Sequence, residues 1–146
     1  MQRGVTLFEL LVVLAIVGIL TGLVIPSSAA LADRLAVEHQ AARILVAYRS
    51  AWVAARMQQR LAILRISADT LAIRTVRGAD DPDTLLAWSA PGPSVAGVTL
   101  TSPARTSIFA PDGLAQGLSN ATHVLVKGNA TRSVVVSRLG RVRIVP

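Results

Sequence analysis

Residues 5–25, VTLFELLVVLAIVGILTGLVI, carry a single charge, Glu9, in a run that otherwise has the composition of a membrane span. Such a run cannot form the solvated surface of a globular domain, so it must be covered, inserted or removed. A helix of about 20 apolar residues crosses a bilayer, and the stretch has that length. A secretory signal peptide would have a basic start, an apolar core of about 7–15 residues and a small-residue cleavage site. Arg3 and the segment IPSSAALA match its two ends. Neither reading accounts for Glu9. An acid at the centre of a bilayer-spanning helix costs roughly 2.5–3.5 kcal/mol on insertion scales, so a chain that keeps one there needs a partner for it.

Beyond Pro26 the sequence reads as an ordinary globular chain. A domain of that size buries about two-thirds of its unfolded surface. With two Phe, two Trp and one Tyr in 146 residues, its core must be Val, Ile, Leu and Ala. The absence of cysteine excludes a disulfide framework, a thiolate metal site and a cysteine nucleophile. The net charge of +7 comes from fourteen Arg and one Lys against eight acids. That excess fits either an arginine-rich composition or an anionic partner, nucleic acid or lipid headgroups, and composition does not choose.

The N-terminus resembles the prepilin leader of type IV pilins and type II secretion pseudopilins: a short basic leader ending in glycine, here MQRG, then VTLFELL where the family has a TLIELL-type segment. The resemblance implies cleavage by a prepilin peptidase between Gly4 and Val5 and methylation of the new amine of Val5. It also implies that Glu9, fifth in the mature chain, meets the terminal amine of a neighbouring subunit during assembly. Val5 replaces the more usual Phe. Pro26 stands where pilins commonly carry a helix-kinking proline, and removal of one backbone hydrogen bond bends a helix there. Gly18 and Gly22 have the small-xxx-small spacing of close-packed membrane helices, a weak signal alone.

No Gly or Pro occurs between Pro26 and Gly78, and Ala41, Leu45, Tyr48, Trp52 and Ala55 recur as one apolar stripe. This predicts that the helix continues to about Gln59. The period then changes. Short β-rich runs at 61–66, 70–76, 84–88, 98–101, 106–110, 122–127, 132–137 and 141–145 are separated by turn-prone segments, among them Pro111-Asp112-Gly113. The expected fold is α+β: a long N-terminal helix, half membrane and half amphipathic, packed on an antiparallel β domain of one or two sheets. The layout is leader 1–4, membrane and filament-core helix 5–26, amphipathic helix 27–60 and β domain 61–146.

The segments IFAPDGLAQG and RSVVVSRLGRVRIV resemble the C-terminal half of the GspH/FimT group, pseudopilin H of type II secretion and minor pilins of type IV pili. That implies a minor subunit at or near the tip of a pilus or secretion pseudopilus. Its partners would be other pilins or pseudopilins, the peptidase and the inner membrane, with the domain outside the cytoplasm. FimT-like minor pilins include DNA receptors for natural transformation. Lys127, Arg132, Arg138, Arg141 and Arg143 make residues 113–146 acid-free and basic, so they are the candidate DNA contacts, against the alternative of a solvated sheet face. No aromatic interleaves them in sequence, which counts against base stacking. Arg49, Arg56 and Arg60 share a helix flank and either border the apolar stripe or extend the basic surface.

Nothing points to catalysis or to a cofactor. Asp80, Asp81 and Asp83 lack the ligand spacing of a calcium loop, and His39 and His123 have no carboxylate at metal-motif spacing. Gly92–Gly97 misses a nucleophile elbow by one residue. The two Asn-Ala-Thr sequons read as chance matches.

Overall fold

The computed structural model of the chain describes residues 6–77, 84–102, 105–116, 121–137 and 140–146, with the backbone alone at 22–27. Helix α1, Leu7–Gln58, starts at Thr6, an extended N-cap whose Oγ1 accepts the Glu9 N–H at 3.3 Å. Its 52 residues span about 78 Å. It ends where Gln59 turns left-handed at φ 51°.

The strands are β1 (Leu61–Ile66), β2 (Thr70–Val76), β3 (Leu85–Pro91), β4 (Thr99–Leu100), β5 (Arg105–Phe109), β6 (Ala115–Gln116), β7 (Ala121–Lys127), β8 (Ala130–Val136) and β9 (Val142–Val145). They pair antiparallel in two sheets, in the orders β3-β2-β1-β5-β6 and β4-β7-β8-β9. This is the expected α+β architecture. The first two strands coincide with the sequence runs. β3 runs three residues further, β9 starts one residue later, and β6 and a 3-10 turn, Pro93–Ala96, were not foreseen.

Only the C-terminal half of α1 is covered by its own domain. Val37, Ala41, Ile44, Ala47, Tyr48, Ala51 and Ala55 are buried against both sheets, whereas Leu45 is half-buried and Trp52 is 40% exposed. The stripe is therefore centred on Ile44, Ala47 and Ala51 rather than on Leu45 and Trp52. Its alanines let two sheets close on one helix, and bulk comes from the strands through Leu64, Ile66, Leu71, Ile73, Phe109 and Leu125.

Two clasps set the ends of the domain. At one, the β3 end folds over the β1–β2 turn: the Gly92 N–H donates to Asp69 O at 2.8 Å and the Ser94 N–H to Ala68 O at 2.9 Å. A Cβ on Gly92 would collide with Ala68 O and lie 2.6 Å from Thr70 N, both backbone atoms with little room to yield. At the other, Gly128 in the β7–β8 turn, at φ +54°, sits against Asp33 of α1, and Lys127 Nζ lies 3.7 Å from Asp33 Oδ1. Gly92→Ala is expected to destabilise the domain by about 1–3 kcal/mol, read as a lower urea midpoint by tryptophan fluorescence; an unchanged midpoint would contradict the clasp.

Candidate assembly helix and basic groove

The described side chains from Leu7 to Thr21 are all exposed, Leu7 by 79% and Phe8 by 75%. Apolar side chains bared on every side of a helix mark a surface that awaits a partner. Glu9 lies on this stretch, in its first turn, where a carboxylate also suits the positive helix end. Thr6 and Glu9 have the spacing of a capping box, so local capping is the plain structural role for this acid. Only half of the box is made: Thr6 Oγ1 takes the Glu9 N–H, and among the described residues the Glu9 carboxylate has no partner. Among those residues no helix is long and apolar enough to cross a membrane; the side chains of 22–27 are not among them. Gly4, Val5 and the side chain of Pro26 lie outside them.

A second feature forms where α1 meets the chain end. Arg49 and Trp52 of α1, Gly113 of the β5–β6 turn, and Arg141 and Arg143 line an open groove of about 450 Å³ over Tyr48. Trp52 is held in place: its Nε1–H donates to Gly113 O at 3.2 Å, and the Arg56 guanidinium stands 5.0 Å from the ring centroid. The Pro111-Asp112-Gly113 turn forms as expected, with the Leu114 N–H donating to Asp112 Oδ1 at 2.8 Å and Gly113 at φ +88°. Arg141 precedes β9 rather than lying in it, its N–H donating to Ser137 Oγ at 3.1 Å. The guanidiniums of Arg49, Arg141 and Arg143 have no hydrogen-bond or ion-pair partner among the described residues.

The candidate DNA contacts do not form one patch. Lys127 and Arg132 lie at the β7–β8 turn, the far end of β8 from Arg141. Lys127 is engaged with Asp33 and donates to Ala96 O at 3.0 Å; Arg132 donates to Thr131 O at 3.0 Å. Arg138 lies outside the described residues. In their place the fold brings Arg49 and Trp52 to Arg141 and Arg143, so an aromatic does stand among these arginines, although none is near them in sequence. The signal within reach was local: Trp52 and Arg56, one helical turn apart, with Arg49 on the same flank.

Residues 1–25 match the prokaryotic N-terminal methylation motif. The fold is similar to that of the type IV minor pilin FimU of Pseudomonas aeruginosa PAO1, seen in two crystal forms. The first has a TM-score of 0.62 and 18% identity and covers 78% of this chain and 91% of that one. The second has a TM-score of 0.51 and 16% identity and covers 76% and 90%. No curated protein matches the chain in sequence. Its fold is type IV pilin-like.

In this pilin-like chain the groove rests on a buried polar knot. The Tyr48 hydroxyl shares hydrogen bonds with His123 Nε2 at 2.9 Å and Ser107 Oγ at 3.3 Å, and Ser102 Oγ lies 3.3 Å from His123 Nδ1. Burial raises the Tyr48 pKa against the opposing pull of Ser107 and Arg105. For His123, burial and then the charge of Arg105 lower the pKa from 6.5 to about 4. The folded chain thus refuses a proton that the unfolded chain takes up near pH 6.5. Stability from this group is full above that pH and falls as pH drops towards 4, by about 3 kcal/mol in total. Urea midpoints measured from pH 7 to 4 should decline, and His123→Gln should flatten the decline. An equal slope in both proteins would contradict the buried, neutral histidine.

Proposed function

We propose that this chain is a minor subunit of a type IV pilus-class filament, of the GspH/FimT kind, placed at or near the tip of a pilus or secretion pseudopilus. The observation that carries this reading is the bare apolar half of α1 bearing Glu9, inside a segment that matches the N-terminal methylation motif. The likeness of fold to a minor pilin supports it. Residues 1–4 are then a leader, cut after Gly4. Val5 supplies a methylated amine, residues 5–26 hold the chain in the inner membrane and later in the filament core, and Pro26 bends the helix. The β domain, with helix 27–60, faces the periplasm. Glu9 recruits the amine of the neighbouring subunit: a carboxylate in an apolar setting is costly alone and far less so beside an ammonium.

Mass spectrometry of the protein from cells with a prepilin peptidase should find an N-terminus at a methylated Val5. Glu9→Ala should leave that processing intact and remove the protein from sheared filaments. An uncut N-terminus, or normal incorporation of the Glu9 variant, would sink the assignment.

The groove favours a second role, DNA capture, because Arg49, Arg141 and Arg143 stand unpaired beside an exposed Trp52. Guanidiniums contact phosphates without regard to sequence, and binding then weakens steeply with salt. Arg141→Ala with Arg143→Ala should lower the log–log salt slope by about 2, with a smaller loss for Lys127→Ala, whose ammonium is engaged elsewhere. Binding that ignores the two arginines would remove this role and leave assembly alone.

A further inference from the structure

The outer face of the first sheet, turned away from α1, is hollow. It encloses about 640 Å³ between β1, β2 and the start of β5, within the size range of small-ligand sites. The register explains its chemistry. Arg65 pairs with Ala72, and Ile63 with Arg74, so the four side chains make a square on one face. Two guanidiniums hold one diagonal and two apolar side chains the other. Diagonal cross-strand neighbours lie about 7–8 Å apart, close enough for like charges to repel, yet among the described residues neither guanidinium has a hydrogen-bond or ion-pair partner. Thr106 stands opposite Arg65 on β5, its hydroxyl unengaged among those residues. On the rim, Asp69 Oδ1 accepts the Ser94 hydroxyl at 2.8 Å, which fixes the carboxylate and leaves Oδ2 without a partner among the described residues.

We infer that this hollow binds an acidic saccharide, a ligand bearing carboxylates and many hydroxyls. The guanidinium pair answers the carboxylates, for which its planar fork is suited. Asp69 and Thr106 answer hydroxyl groups, and Ile63 with Ala72 gives the CH face of a sugar ring an apolar floor. A DNA strand fits less well, because its backbone offers Asp69 no hydroxyl to bond and nothing on the floor stacks with a base. The site is separate from the groove at Trp52: it lies on the outer face of the first sheet, away from the seam, and shares no residue with it.

The test is titration of the full chain, in detergent micelles at low salt, with trigalacturonate, and with maltotriose as the neutral control. Saturable binding of the acidic trimer alone is expected. It should weaken at least about tenfold in Arg65→Ala with Arg74→Ala and weaken also in Asp69→Asn. All these side chains are exposed, so the variants should keep the parent's thermal midpoint. Absence of saturable binding, binding that survives the arginine changes, or equal binding of maltotriose would overturn the inference. So would duplex DNA held through the same two arginines and strengthened by Asp69→Asn, which would make the face a phosphate surface instead.

Discussion

Tyr48 is the point at which α1 and the two sheets meet, its hydroxyl bridging Ser107 of β5 in one sheet and His123 of β7 in the other. Its ring packs edge-on to Phe109, with centroids 6.2 Å apart. A polar group buried this deeply costs free energy unless it is bonded, and here the two sheets supply the partners. The knot fixes how far apart the sheets stand on the helix. Alanines at 41, 47, 51 and 55 make that close approach sterically possible. Trp52 follows Tyr48 by one helical turn and therefore emerges at the seam, where Gly113 from one sheet and Arg141 from the other come within reach. The groove is a consequence of the core.

The two halves of α1 obey different rules. From Val37 onward the helix is amphipathic and completes a core. From Leu7 to Thr21 it is apolar on all sides and meets nothing of its own domain. Such a segment is stable only where something else excludes water from it, in a bilayer or among other helices. The same physics gives Glu9 its meaning. In water it is a half-made helix cap; in an apolar surrounding it becomes a demand for a cation, which a neighbouring chain's amine can meet.

Much of this was legible in the sequence because it is local. The uninterrupted stretch from Pro26 to Gly78 foretold one helix, and the change of period after Gln59 gave β1 and β2 at their observed bounds. The turn at Pro111–Gly113 was readable from its residues. What depends on topology was not. Lys127 and Arg143 look alike in a list of C-terminal charges, but one faces Asp33 across the β7–β8 turn and the other edges the groove. Trp52 looked like core because its spacing from Tyr48 fits an apolar stripe, yet the alanine side of the helix is the side the sheets chose. The Arg65–Arg74 square exists only once β1 and β2 are in register. β6, two residues long, carries too little pattern to be seen.

The central claim is that the bare half of α1 is covered by lipid or by neighbouring helices in the cell. The chain has no cysteine, so single replacements report without background. The most direct measurement is labelling of intact, filament-bearing cells, outer membrane permeabilised, with a water-soluble maleimide, comparing Leu14→Cys with Val95→Cys on the exposed 3-10 turn. The account predicts ready labelling at position 95 and protection at position 14. Equal labelling of both would mean that the helix stands in water, and the account would be wrong.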